Sequence, residues 1–400
     1  MKSRTTTPLE QKTILYISEI EPTENAASSA VIHRHLRSLE DEGYHICVVL
    51  TETDGPRPVL PETWSLIQLP RRRAYFPPYR PNALLRFIRW NILDWFVTPK
   101  LSNINVHCII GVLSGEYLVN YAAWLSEKIR RPLFYFYHDR GEDLYFANDP
   151  KGALRLKNQN LRLLQSPYME KLWAVSPELN YAELGDSAKQ SVLYPLPEQI
   201  DGISKPEWSA GAGTGPTIVH IGTIYLETVD SMRSIVSMLQ SLGGRLIVYS
   251  HRDEPGRSLM KEFPATVEFR GFVNDTKKML KKTIEEAKAF LVVYPDEVRL
   301  MPWARESFPS KFVQMVQTGL PGIVIAPAEA SIAKWCLANN WKLYSPTSKQ
   351  ESLKDLLLSL DEPVSWNEAA AHSRSVSEGI FSPEKLKAQV LDDVQRIRPL

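Results

Sequence analysis

Residues 13–50 read TILYISEIEPTENAASSAVIHRHLRSLEDEGYHICVVL, and this stretch decides the fold. Its first six residues, TILYIS, are a short apolar run of strand type, followed by a polar turn from Glu19 to Asn25. A helical pattern then runs from about Ser28 to Glu42, with Val31, His35, Leu36 and Leu39 on one stripe. Gly43 ends that helix, and HICVVL at 45–50 is the next buried strand. Strand, loop, helix and strand at this length make a βαβ unit, which implies a parallel sheet. VHCIIGV (106–112), PLFYFYHD (132–139) and KLWAVS (171–176) continue the alternation, with a helix at 115–129 between the first two.

Further along, DGISKPEWSAGAGTGPT at 201–217 is the best linker in the chain, rich in Gly, Ser, Ala and Pro. Its Gly211, Gly213 and Gly215 precede a strand instead of following one, so a dinucleotide fingerprint is excluded there. A second α/β unit follows, with strands at 217–223, 245–250, 266–272, 289–295, 322–327 and 343–345. Its helices are expected over Asp230–Leu242, Arg257–Phe263, Asp275–Ala287 and Ser331–Asn339. A terminal helix begins at Ser382-Pro383-Glu384, an N-cap, a proline and an early acid, and runs to about Ile397. The expected architecture is α/β, with two Rossmann-like domains facing across a cleft. Residues 1–200 form the first domain, 201–217 the linker and 218–378 the second domain. Residues 379–400 form a C-terminal helix able to pack back on the first. Ligands of open parallel sheets bind outside the carboxyl ends of the strands. The loops after Ser18, Asp139, Ser176, Thr223, Ser250, Phe272 and Pro295 are therefore the ones to read.

Composition narrows the function classes. Four hundred residues, 44% of them hydrophobic and 23% charged, suit two or three globular domains. A net charge of +1 provides no global field for nucleic acid. Cys47, Cys108 and Cys336 are scattered without metal-ligand spacing, which suits buried thiols in a reducing compartment. The N-terminus has no apolar core of a secretory signal, and no apolar run is long enough to span a bilayer. The expected location is the cytoplasm.

One segment breaks the alternation. Residues 71–100, RRRAYFPPYRPNALLRFIRWNILDWFVTPK, are dense in Arg and aromatic residues. A helix capped near Asn82 would be apolar around most of its circumference, broken by Arg86, Arg89, Asn91 and Asp94. The two readings are a core or inter-domain helix and a peripheral membrane contact aided by the basic run from Arg71 to Arg80.

The stretch with most chemistry is ESFPSKFVQMVQTGLPGIVIAP at 306–327. Ser310 reads as an N-cap and Gly319 as the residue after the helix, which gives a helix over about 311–318. Glu306 lies just before its N-terminus, Lys311 on its first turn, and Gln314 one turn above Ser310. Helix N-termini favour anions, phosphate above all.

Taken in order, these segments resemble the glycosyltransferase B fold, and specifically the retaining family 4 type. VHIGTIYLETVDSMRSIVSML (219–239) resembles that family's strand, loop and helix opening the nucleotide domain, and VEFRGFV (267–273) its base-receiving strand and loop. AKAFLVVYP followed by 306–326 resembles its signature of two acids eight positions apart, ending in Gly-x-Pro. In the first half, Ile14 to Leu50, YHD at 137–139 and WAVSPEL at 173–179 resemble its opening unit, its His-containing loop and its Ser turn.

The resemblance implies roles. Glu306 contacts donor-sugar hydroxyls, and His138 approaches the same sugar from the other domain. Lys311 sits near the diphosphate, Gln314 faces the ribose, and Phe272 and Val273 flank the base. Ser310, Phe308, Thr223 and Arg252 complete the donor-binding set. Ser28 and Ser29 stand in an acceptor-side loop, where the family often has paired glycines. Gln314 replaces the family's second Glu and accepts at one end only, so Gln314→Glu is expected to be tolerated. No Lys or Arg lies within 223–228, so Arg252, Arg299 and Arg305 are the candidates to replace the family's basic pair.

The function implied is a retaining, hexosyltransferase-like enzyme that uses a nucleotide sugar as substrate and needs no cofactor. No Asp-x-Asp sits at a strand end, so no obligatory metal is expected; the two readings of Asp139, Glu142 and Asp143 are a cation site and, favoured, a solvated loop. The acceptor is a glycan, a lipid-linked or a small molecule, and 71–100 hints at an amphipathic one. The alternative is a non-catalytic nucleotide-sugar binder or scaffold on the same fold.

Overall fold

The structure is a computed structural model, and it describes residues 11–24, 27–52, 58–69, 83–113, 117–142, 149–185, 188–199, 206–208, 215–250, 254–273, 275–348 and 350–397. The chain divides into two units, residues 1–193 with 387–400, and residues 194–386.

The first unit is built on β1 (Thr13–Ile17), β2 (His45–Thr51), β3 (Ser65–Leu69), β4 (Val106–Val112), β5 (Leu133–Tyr137), β6 (Met169–Ala174) and β7 (Gln190–Val192). They lie in the order β3-β2-β1-β4-β5-β6-β7, paired in parallel throughout. β1 and β5 are buried along their whole length, as expected of strands covered on both faces. β3, β7 and the Pro150–Leu164 helix were not legible as elements. β3 pairs with β2 in the described sheet and half-exposes alternate residues, so it lacks the continuous apolar run that marks the central strands.

The second unit repeats the design with β8 (Thr217–Ile221), β9 (Arg245–Tyr249), β10 (Val267–Gly271), β11 (Ala289–Val293), β12 (Gly322–Ile325) and β13 (Tyr344–Ser345). Their order is β10-β9-β8-β11-β12-β13, again all parallel. Both units therefore have the doubly wound Rossmann-like order, with its reversal between β1 and β4 in one and between β8 and β11 in the other. The expected helices appear within a residue or two of their predicted bounds, at Val229–Ser241, Gly256–Glu262, Thr276–Glu286 and Ser331–Ala338.

The division of the chain falls at 193/194 and not at 200. Leu196 is fully buried between two buried prolines, Pro195 and Pro197, so this segment is core of the second unit. The described parts of the expected linker, 206–208 and 215–217, also belong to that unit. The terminal helix is Pro383–Gln395, and from Lys387 onward it belongs to the first unit. There the Trp173 indole donates to Asp393 at 2.8 Å, and Gln389 Nε2 donates to the Val192 carbonyl at 3.0 Å.

The aromatic segment forms a helix over Ala83–Leu101, while 71–82 lies outside the described residues. From residue 91 on, the helix buries one stripe, Leu93, Val97 and Leu101, at spacings of four. Trp95 is 80% exposed and Phe96 40%, so this half is not a helix covered all round. Among the described residues no helix is long and apolar enough to cross a membrane.

Candidate functional site

The reversal of the second sheet sets β8 beside β11, and each strand end delivers a candidate residue. β8 runs into Gly222 and Thr223. Gly222 has φ +131, a conformation side chains resist, and a Cβ built there would lie 3.7 Å from Lys311 Cγ. The aliphatic stem of Lys311 thus lies against the loop that holds Thr223, although 311 follows β11 in the chain. Lys311 is exposed and Ser310, next to it, is half-buried.

Glu306 leaves the short helical turn Pro302–Arg305. Its N–H and that of Ser307 both donate to the Trp303 carbonyl, at 3.2 and 3.0 Å, which fixes the peptide that carries Glu306. Ser331 Oγ donates to the Ser307 carbonyl from the following helix. The Trp303 ring meets Tyr225 edge to face at 5.8 Å and Tyr294 at 6.1 Å, so aromatic contacts tie the loops after β8 and β11 together. Sequence reading missed Gly222, Tyr225 and Trp303. The legible signal was a glycine closing β8, and an aromatic residue three positions after that glycine and three before Glu306.

The helix that follows spans Ser310–Val316, with Pro309 at the N-cap and no side-chain cap. Ser310 is therefore the first helical residue and not the cap, because the Phe312 and Val313 N–H groups both turn to the Pro309 carbonyl. Gly319, at φ +73, takes the left-handed position expected beyond the helix.

Two of the donor-binding candidates are used by the fold itself. Phe308 is only 5% exposed, with its ring 4.9–6.2 Å from those of Tyr194, Phe381, Trp335 and Phe312. It is a core anchor at the start of the helix, driven inward by its apolar area. Gln314 is also buried, and both ends of its amide are engaged. Its Oε1 accepts from the Glu198 N–H at 2.7 Å, and its Nε2 donates to the Glu198 carbonyl at 3.2 Å.

Phe272 and Val273 follow β10, two strands away from β8 in the sheet order. Gly271 turns the chain there at φ +67, and Phe272 is 57% exposed. Arg270 beside them is held by Glu268, Glu286 and Tyr249. Of the basic substitutes, Arg299 pairs with Glu297, Arg305 is exposed at the end of its turn, and Arg252 lies outside the described residues.

In the first unit, His138 follows β5 and is buried, and burial lowers its pKa against the opposing pull of Asp139. Phe136 lies edge-on to His138 at 6.1 Å and stacks on His35 at 5.3 Å. Burial, then the neighbouring His138, brings the His35 pKa down to about 3, so this imidazole is neutral near pH 7. His35 comes from the core stripe of the first helix, and its nearness to His138 could not be read from that stripe. Ser28 and Ser29 lie in the first turn of that helix, Ala27–Asp41, and not in a loop. The helix starts before them because Ala27 to Ala30 already carry helical geometry, with Ala30 buried. Glu142 is no part of a solvated loop either. It is buried, accepting from Asn160 Nδ2 at 3.4 Å and from the Tyr181 hydroxyl at 3.3 Å, while Asp143 lies outside the described residues. No group of three or more His, Cys, Asp or Glu among the described residues is arranged to hold a metal ion.

Two parallel Rossmann-like sheets in one chain are the architecture of the glycosyltransferase B fold, and solved structures of that fold match nearly the whole chain. A glycosyltransferase from Rickettsia africae ESF-5 matches with TM-score 0.65 at 10% identity, over 97% of this chain and 99% of its own. Anabaena Alr3699/HepE in complex with UDP-glucose matches with TM-score 0.62 at 12% identity, over 97% and 100%. WaaG, a glycosyltransferase involved in lipopolysaccharide biosynthesis, matches with TM-score 0.57 at 15% identity, over 95% and 99%. No protein-family model and no curated protein matches the sequence. At these identities the likeness defines the fold.

Proposed function

We propose that this chain is a glycosyltransferase of the retaining family 4 type, moving a hexose from a nucleotide sugar to an acceptor without a metal. The observation that carries the reading is the meeting of the Gly222–Thr223 loop and Lys311 at the reversal of the second sheet, close in the chain to Glu306. Sheet reversals are where open α/β folds bind ligands. In this reading the Lys311 ammonium, with the Ser310 N–H at the start of the helix, binds the diphosphate and stabilises leaving-group charge. Glu306 accepts hydrogen bonds from donor-sugar hydroxyls, Thr223 and Ser310 line the phosphate side, and Phe272 and Val273 receive the base. His138 keeps the role that the resemblance implies for it, a hydrogen-bonding group, with burial lowering its pKa. The crystallised complex of Alr3699/HepE with UDP-glucose supports a nucleotide-sugar donor for this fold.

The exposed Trp95 and Phe96 favour a peripheral membrane contact and an amphipathic acceptor. A second reading, a nucleotide-sugar binder without catalysis, is favoured by the buried, fully engaged amide of Gln314. Thermal shift and single-turnover assays against a panel of nucleotide sugars test both. Binding with transfer or donor hydrolysis supports the enzyme, binding without turnover supports the binder, and no binding across the panel removes both.

A further inference from the structure

Two glutamine amides, one on the 310–316 helix and one at its C-cap, tie the helix to neighbouring segments. Gln314 forms the two-point pair with the Glu198 peptide at 2.7 and 3.2 Å, and one turn later Gln317 Nε2 donates to the Phe381 carbonyl at 3.1 Å. Tyr194, four residues before Glu198, packs edge-on against Phe308 at 4.9 Å and Phe381 at 5.1 Å. The segment 194–199 is thereby laid on the helix and on the ring that begins it. A primary amide fits this place because it donates and accepts at once, matching one carbonyl and one N–H. An ionised carboxylate accepts from the Glu198 N–H but turns a second acceptor toward the Glu198 carbonyl, leaving that buried contact without a proton.

We propose that Gln314 is a positioning residue, which sets the 310–316 helix and Lys311 on it by holding the Glu198 peptide, and that it makes no contact with a ribose. The claim about Lys311 as a phosphate ligand rests on the function proposed above; the claim about Glu198 does not. Charged or titratable groups on the elements packed against this helix are Tyr194 and Glu198 on the 194–199 segment, Lys334 and Cys336 on the Ser331–Ala338 helix, and Glu368, His372, Arg374 and Glu378 on the Pro363–Glu378 helix, with Lys311 on the helix itself. β11 and β12 contribute none. The parent protein measured at each pH is therefore the reference.

The test compares Gln314→Glu and Gln314→Leu with the parent at pH 8 and pH 5, by urea unfolding and by the affinity for UDP and GDP. A carboxyl at 314 is favoured in its protonated form, which again donates and accepts, so its folded pKa lies above the unfolded value of about 4.3. Its stability is then present at low pH and lost as pH rises through the raised pKa. Gln314→Glu is expected to unfold at lower urea than the parent at pH 8 and to recover most of the difference at pH 5. Gln314→Leu is expected to be destabilised equally at both. Nucleoside diphosphate affinity should fall about tenfold in Gln314→Glu at pH 8 and recover at pH 5. Parent-like stability of Gln314→Glu at pH 8 with unchanged or tighter nucleotide binding would overturn the proposal and turn Gln314 toward the ligand. If the parent binds neither nucleotide, the proposed function is decided by the nucleotide-sugar panel above, while the unfolding curves still decide the Glu198 contact.

Discussion

Phe308→Ala separates a core residue from a ligand-binding one. The ring is 5% exposed and packed against four other aromatic rings, one of them Trp335 at 6.1 Å. Truncating a buried Phe removes its transfer free energy and leaves a cavity that rigid neighbours fill poorly, about 3–5 kcal/mol together. For a unit the size of residues 194–386, a urea slope of about 2–3 kcal/mol per molar converts this into a midpoint shift of about 1–2.5 M. The assay is urea unfolding followed by intrinsic fluorescence and by far-ultraviolet circular dichroism, with Phe272→Ala as the exposed control. That control should move the midpoint by about 0.2 M or less, since exposed substitutions cost little. A shift below about 0.4 M for Phe308→Ala, accompanied by loss of nucleotide binding, would refute the burial argument.

Further expectations concern the site and the acid limb. Lys311→Ala should weaken nucleoside diphosphate binding by about 1–3 kcal/mol without changing the unfolding midpoint, and calorimetric titration against the parent checks this. Glu306→Ala should abolish transfer while circular dichroism stays unchanged; parent-like turnover would sink its assignment to the donor sugar. His35 is neutral in the fold, with a pKa near 3, and titrates near its ordinary value of 6.5 when unfolded. The unfolded chain therefore binds more protons below pH 6.5, and stability falls as pH drops from there toward 3. His35→Leu should flatten that decline in acid unfolding curves, whereas an unchanged slope would show that His35 does not contribute to it. Flotation with anionic liposomes should carry the protein upward, less so for Trp95→Ala; no co-flotation of the parent removes the membrane contact.

Much of the fold was legible because apolar runs and capping signals are local. β1, β2, β4, β5 and β6 of the first unit and all six strands of the second stood out as β-branched and aromatic runs bounded by Gly or polar turns. β3 and β7 did not, being short and half-exposed, with too little apolar contrast to signal a strand. Glu306 and Lys311 could be picked out by their place before and on a helix. Phe308 could not be told from a ligand-facing ring, since one aromatic residue before a helix suits either role. Trp303 and Tyr225 went unread because their meeting depends on two residues 78 positions apart.

By itself the sequence determined that the chain forms two parallel α/β units, and where most of their strands begin and end, because periodicity and turn chemistry act over a few residues. It also placed Gly319 beyond its helix, a matter of backbone conformation alone. Only the tertiary structure decided that β8 lies beside β11, which brings Gly222 against Lys311, and that the Gln314 amide is taken up by the Glu198 peptide. Those outcomes depend on strand order and on partners more than a hundred residues away in the case of Gln314, and no local pattern encodes which distant peptide a buried amide will meet.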